Sequence, residues 1–247
     1  WKGRTNMHQD EITLAEILRK AGYATGLFGK WHLGDTYPYR PQDQGFDEVL
    51  MHRGGGIGQP CDILGNTYFN PTLWHNGDAK SYTGYCMDIY TDATLAFIEN
   101  NRMRPFFAFL ATNTPHTPLQ VPKSYYQPYI DAGLPEETSK IYGMLTNIDD
   151  NFARVLAKLE ELEIAEDTII IYMSDNGPKV FYPEHRFAAK LRGEKTDLYE
   201  GGILSPFYFR WPDRFPEPTT IETIGSYIDV MPTLLAAAEI SLPDQKI

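Results

Sequence analysis

The chain has 247 residues, 42% of them hydrophobic, enough to bury one sizeable core without disulfides or structural metals. Its 16 Tyr and 18 Pro favour a folded chain with long packed loops over a disordered one. A formal charge of -11 with no clustered Lys or Arg excludes nucleic acid as a partner, so any anionic ligand must meet local cations or a metal.

No apolar run approaches the roughly 18 residues that cross a bilayer, and no membrane partner is expected. Cys61 and Cys86 form neither a Cys-x-x-Cys pair nor a metal-ligand spacing, so they are expected to be buried or casually paired thiols. The chain opens at Trp1-Lys2-Gly3-Arg4 without an initiator Met, and the expectation is a native N-terminus further upstream.

In chain order, Asp10 is the expected N-cap of a first helix carrying Leu14, Ile17, Leu18 and Ala21 at helical spacing, stopped by Gly22. A short strand over 23–28 follows. Residues 35–82 are rich in Gly, Pro, Asn and aromatics without a sustained period, which predicts a long irregular excursion. A helix over 86–100 leads into the apolar run 106–111, expected as a buried strand. Ile141, Leu145, Ile148, Phe152, Val155, Leu156 and Leu159 mark a long amphipathic helix that feeds a second continuous apolar run at 168–173. A further strand is expected at 207–211, then a last helix over Ile228, Met231, Leu235 and Ala238 with Pro232 in its first turn. Helices alternating with strands that are apolar throughout imply a single α/β domain over 1–247, a mostly parallel sheet flanked by helices on both faces.

Ligands of such sheets bind at the carboxyl ends of the strands. Those ends read Gly29-Lys30-Trp31-His32, Thr114-Pro115-His116-Thr117-Pro118 and Ser174-Asp175-Asn176-Gly177, and Arg192-Gly193-Glu194-Lys195 adds a further cation before Tyr199-Glu200-Gly201-Gly202. Lys30 and His32 lie two apart, so an extended segment would point both to one side. Prolines on either side of His116 suit a rigid catalytic group. Asp175 and Asn176 are adjacent hard oxygen ligands of the kind that suits Ca²⁺ or Mg²⁺. Residues 54–58, Gly-Gly-Gly-Ile-Gly, lack the Gly-Lys-Ser/Thr ending of a phosphate loop and are read as loop flexibility. His52, Arg53, His75 and His185 could line a pocket and are left unassigned.

These segments resemble the sulfatase family, whose fold is shared with alkaline phosphatases, over nearly the whole chain. Gly-Tyr-x-Thr-Gly-x-x-Gly-Lys-Trp-His at 22–32 resembles the second sulfatase signature. The Pro-His-x-Pro element at His116, Ser-Asp-Asn-Gly at Asp175, the stretch 195–202 and the segment 229–235 follow in the family's order. The resemblance implies hydrolysis of a sulfate monoester. Lys30 and Lys195 would hold sulfate oxygens, His32 would orient or deprotonate the hydrate of a formylglycine nucleophile, and His116 would protonate the leaving oxygen. Asp175 and Asn176 would ligate Ca²⁺ or Mg²⁺. A periplasmic or secreted compartment is favoured by the resemblance alone.

Some features depart from the family pattern. The Cys/Ser-x-Pro-x-Arg motif that yields formylglycine is missing, since Cys61 precedes Asp62-Ile63 and Cys86 precedes Met87-Asp88. The family's first strand, with two further metal-ligating aspartates, and its small C-terminal antiparallel subdomain are likewise not seen. Thr196 and Asp197 stand where small residues are expected after Lys195, and Gly202 is followed by Ile203-Leu204-Ser205-Pro206 where an Arg commonly precedes the Pro. The expectation is therefore an excised piece with an incomplete metal site, inactive alone and able to self-associate through an exposed sheet edge. A phosphodiester or phosphonate monoester hydrolase of the same superfamily, or a non-catalytic fragment, is the alternative. The partner is expected to be a small-molecule or glycan sulfate ester, with Trp74 and Tyr68 able to stack on sugar rings or simply packing their loops.

Overall fold

Strand β1, Ala24–Lys30, is buried along its length except at Lys30, because it pairs in parallel on both sides and is covered on both faces. These relations come from a computed structural model that describes residues 6–8, 10–179, 187 and 189–243. The chain divides into two compact units, one of residues 1–113 with 219–247 and the other of residues 114–218. The expected α/β architecture, a sheet flanked by helices, is observed.

In the first unit the described strands form one five-stranded sheet in the order β4-β3-β2-β1-β5, with β2 at Glu48–His52, β3 at Thr72–His75, β4 at Asp78–Ser81 and β5 at Phe106–Ala111. β2 and β5 run parallel to β1, in registers Lys30↔His52 and Gly29↔Ala111, whereas β3 and β4 join antiparallel. Alternation sends Leu27, Val49 and Met51 to the face covered by helix α1, Leu14–Lys20, where they pack with Ala15, Trp31 and Phe46. Phe28 goes to the opposite face and meets Phe97 of helix α2, Cys86–Asn101, with ring centroids 5.6 Å apart.

The N-cap of α1 is Thr13 and not the expected Asp10. Its hydroxyl accepts from the Glu16 N–H at 3.1 Å while the Glu16 carboxylate accepts from the Thr13 N–H at 2.8 Å, a reciprocal pair that Asp10 lies too far upstream to make. The excursion expected over 35–82 contains three of the five strands. Its decisive signal is Asn76-Gly77, both at positive φ (51° and 98°), which closes the β3–β4 hairpin in the two-residue turn whose twist matches the strands. Asn76 also returns to β2, exchanging hydrogen bonds with Val49 at 2.8 and 2.9 Å. β5 pairs with β1 alone among the described strands, so it is an edge and not the buried strand expected, with Phe109 43% exposed.

In the second unit, helices α3 (Lys123–Asp131) and α4 (Glu136–Glu161) pack through Tyr129 and Tyr142, whose rings lie 5.5 Å apart, and through a 2.7 Å bond between the Tyr129 and Thr146 hydroxyls. Strand β6, Ile170–Met173, pairs antiparallel with β7, Phe207–Arg210, and the short helix α5, Glu200–Ile203, precedes β7. β6 is partly exposed where continuous burial was expected, since β7 is its one partner among the described strands. Helix α6, Val230–Ala237, belongs to the first unit, takes Pro232 in its first turn and buries Leu235 fully. No helix among the described residues is long and apolar enough to cross a membrane.

Gly29 is the tightest point of β1. At φ +117°, a Cβ there would stand 2.0 Å from the Ala111 carbonyl oxygen, so both backbone and space demand glycine. Gly29→Ala is expected to lower the unfolding free energy by about 3 kcal/mol or more. Gly22→Ala, at φ +93° with nothing within 4 Å, is expected to cost about 1 kcal/mol. Urea denaturation of both variants separates the steric part from the torsional part, and equal losses would refute the close-approach account.

Candidate functional site

Lys30 is the last residue of β1 and stands opposite His52, the last residue of β2. The expected extended segment through His32 is not formed. The strand stops at Lys30, Trp31 turns inward and donates its indole N–H to the Tyr39 carbonyl at 2.8 Å, and His32 adopts φ +59°. A left-handed backbone costs an L-residue about 1–2 kcal/mol, so the surroundings must hold it there. Gly55, in the glycine run at 54–58, lies against the imidazole. A Cβ on Gly55 would meet His32 Cε1 at 3.0 Å and Nε2 at 3.3 Å, and the Asp35 carboxylate accepts the Gly54 N–H at 3.1 Å. The run therefore makes room for an imidazole, a role beyond the flexibility expected of it.

His52, left unassigned from the sequence, is fully buried beside this pair. Its Nδ1 lies 3.1 Å from the Arg53 carbonyl oxygen, an atom that can only accept, so Nδ1 carries the proton. Burial pushes its pKa down to about 4. The bond to the Arg53 carbonyl and the charge of Asp62 oppose the shift, and Lys30 and His32 add to it. Lys30 and His32 thus both lie within electrostatic range of one neutral imidazole, and the β1–β2 register brings Lys30 there. The signal for His52 was its place at a strand end, invisible until β2 is recognised.

The other expected residues lie in the second unit. His116 is half-buried between Pro115 and Pro118, each preceded by a cis peptide bond. Its Nδ1 donates to the Thr117 carbonyl at 2.8 Å, so chemistry at the ring falls to Nε2. Asp175 and Asn176 follow β6. The Asn176 amide nitrogen donates to the Gly177 carbonyl at 2.8 Å. Backbone bonds from Gly177 to Gly202 and from Lys195 to Pro178, both 2.9 Å, bring the turn of Asp175 and the loop of Lys195 together. The neighbours of Lys195 are committed locally. Glu194 pairs with Lys179, and the Asp197 carboxylate turns back to accept the Glu194 N–H at 3.1 Å. Thr196, where the family resemblance led to the expectation of a small residue, stands at φ +85°, a backbone region that favours glycine.

Among the described residues no three His, Cys, Asp or Glu side chains are grouped to hold a metal. Asp175 and Asn176 have the donor chemistry of part of a Ca²⁺ or Mg²⁺ shell, but two side chains fall short of the 6–8 oxygens Ca²⁺ takes.

Other expectations resolve differently. Tyr68 is fully buried and cannot stack on a sugar, and one face of Trp74 is covered by the Arg53 guanidinium 3.4 Å from its centroid. His75 bonds the Tyr82 hydroxyl at 3.0 Å within the hairpin region. His185 lies outside the described residues. Cys61 and Cys86 are unpaired, and Cys61 is exposed where burial or pairing was expected, whereas burial of Cys86 pushes its thiol pKa upward.

A family model described as Sulfatase matches residues 4–240. An arylsulfatase of Hemicentrotus pulcherrimus is 30% identical over 262 residues, covering 99% of this chain and 46% of that protein. The N-acetylgalactosamine-6-sulfatase of Homo sapiens is 27% identical, over 96% of this chain and 46% of its own. The chain thus spans about half the length of the curated relatives it matches. The crystal structure of Ps i-CgsB in complex with k-i-k-neocarrahexaose superposes with TM-score 0.88 at 27% identity, covering 98% of this chain and 57% of that one. A protein solved with its substrate D-glucosamine-2-N,6-O-disulfate shares the fold, with TM-score 0.73 at 20% identity over 97% of this chain and 63% of its own.

The buried His52 carries a pH signature. Its folded pKa of about 4 lies below the ordinary 6.5, so between these values the unfolded chain binds the extra proton and stability rises with pH. Lowering the pH from 7 to 4 is expected to remove about 3 kcal/mol through this group. Urea melts of His52→Gln should show a correspondingly shallower loss over that range than the parent, and parallel curves would contradict the assignment.

Proposed function

Because the chain belongs to the sulfatase family, we propose that it forms part of an enzyme hydrolysing a sulfate monoester of a carbohydrate. The observation that carries the reading is the end of β1, where a half-buried Lys30 closes an otherwise buried strand and His32 is held left-handed against a loop with no side chain in its way. A carbohydrate ester is supported by two similar proteins, the N-acetylgalactosamine-6-sulfatase of Homo sapiens and the structure solved with k-i-k-neocarrahexaose.

In this reading the ammonium groups of Lys30 and Lys195 each hold a sulfate oxygen and offset the negative charge of the ester. His116, its ring fixed through Nδ1, gives the Nε2 proton to the leaving oxygen as the S–O bond breaks. His32 orients the attacking group or takes its proton. Asp175 and Asn176 contribute two oxygens to a Ca²⁺ or Mg²⁺ shell, and the cation supplies further neutralisation of the sulfate when bound. No Cys/Ser-x-Pro-x-Arg sequence occurs in these 247 residues, and the reading places the formylglycine nucleophile outside them.

Release of sulfate from 4-nitrophenyl sulfate is therefore expected from a polypeptide that joins these residues to a formylglycine motif and not from the 247 residues alone. Lys30→Ala should lower kcat/KM by about 10²-fold or more. Faster hydrolysis of bis(4-nitrophenyl) phosphate by the longer polypeptide would favour a phosphodiesterase, and turnover of neither ester would favour a non-catalytic role.

Calcium binding by the 247 residues is expected to be weak, with a dissociation constant of about 10⁻⁴ M or higher. A micromolar value by calorimetry would show a more complete shell than Asp175 and Asn176 provide.

A further inference from the structure

The loop after β2 turns back on itself, and its backbone is tied at three points. Gln59 donates its N–H to the Gly56 carbonyl at 3.1 Å, its own carbonyl accepts from the Asp62 N–H at 3.0 Å, and the Asp62 carboxylate accepts the Gly58 N–H at 2.7 Å. This turn lays the Gln59 side chain over Gly55 and Gly56. A Cβ on Gly55 would stand 3.2 Å from Gln59 Oε1, and one on Gly56 would stand 2.9 Å from Gln59 Nε2. Neither glycine is left-handed, so the loop uses their missing side chains and not their torsions.

The space over Gly55 is shared with His32. The same Cβ position, 3.2 Å from Gln59 Oε1, lies 3.3 Å from His32 Nε2 and 3.0 Å from His32 Cε1. Nε2 and Cε1 are the two atoms that a flip of the ring would exchange, so Nε2 faces this space in either setting. The amide is oriented by what its ends meet. Its nitrogen lies toward Asn113 Oδ1, which is 3.4 Å from the Cβ position of Gly56 and can only accept, and its oxygen is left toward the imidazole. An exposed imidazole on a backbone at φ +59° thus has a tethered acceptor beside it.

We propose that Gln59 is a positioning residue: its Oε1 accepts the Nε2–H of His32, which fixes the ring and leaves Nδ1, with its lone pair, for the attacking group. The part given to His32 rests on the sulfate-ester reading above, whereas the contact is tested apart from it.

The first readout is NMR of the 247-residue chain labelled with ¹⁵N-histidine, in which His32 is assigned among six histidines by the signal lost in His32→Gln. Long-range ¹H–¹⁵N spectra of the neutral ring are expected to show its proton on Nε2. Gln59→Leu removes the acceptor and should lower the titration midpoint of His32. Gln59→Glu sets a carboxylate against the same N–H and should raise it by about 0.5–1 pH unit. A general loosening of the loop would move both variants the same way, so opposite movements identify a direct contact. Gly55→Ala, which puts a methyl between the two groups and keeps both, should move the midpoint as Gln59→Leu does, and thermal melts confirm that the variants remain folded. In the polypeptide that includes the formylglycine motif, Gln59→Leu should lower kcat for 4-nitrophenyl sulfate about tenfold with KM within about twofold, and Gln59→Glu should restore part of it. A proton on Nδ1, midpoints that do not move in opposite directions, or an unchanged kcat in Gln59→Leu overturns this inference alone. No sulfate release by the parent polypeptide overturns the sulfate reading and the positioning role together.

Discussion

The two-sided parallel pairing of β1 is the constraint on which the rest of the first unit depends. With β2 on one edge and β5 on the other, the strand is paired on both sides over residues 26–29, and its side chains can be buried on both faces. Leu27 then anchors the layer beneath α1, and Phe28 the layer beneath α2. Such a strand has no room for charge until it ends, since a buried ammonium without a partner is heavily penalised. Lys30 therefore stands at the strand's end, and the register that ends β1 there also ends β2 at His52. The placing of Lys30 at the end of the sheet follows from the geometry of its interior.

Electrostatics sorts the basic groups near this end by what they do for the fold. Arg19 with Asp47 and Arg40 with Asp43 are committed to partly exposed ion pairs of modest worth. His52 is kept neutral at ordinary pH, so a further positive charge is withheld from the neighbourhood of Lys30 and His32. Arg53 is held by an aromatic face and retains its donors. In an acidic chain, positive potential toward an anion depends on where the fold places its cations, and here burial, register and stacking set those places.

Elements whose patterns repeat over many residues were legible in the sequence: α2, α4, β1 and β5 fall within a few residues of the expected ranges. What escaped was short or settled by a neighbour. β2, β3 and β4 have four or five residues each, with polar positions that break any run, and only the Asn76-Gly77 turn announced the hairpin. Asp10 looked like a cap because of its residue type, while the reciprocal bonds of Thr13 and Glu16 needed the spacing to be read as a pair. The chemistry-bearing residues were easier to name than to place. Lys30 follows from its strand, but the turn at His32 breaks the alternation that seemed to align them, and nothing in a loop rich in aromatics distinguishes the buried Tyr68 from an exposed platform.

The second unit fixes its basic residue by another route. No long strand leads to Lys195; instead its loop is drawn against the turn after β6 by two backbone bonds. A Cβ on Gly177 would fall 1.9 Å from the Gly201 carbonyl oxygen, so these backbones touch with no space for a side chain. Close approach of this kind leaves little freedom for slippage, and it lets the loop sustain Thr196 at φ +85°. The strain at Thr196 and at His32 has the same physical basis. Each is a side-chain-bearing residue held left-handed next to a glycine-lined contact.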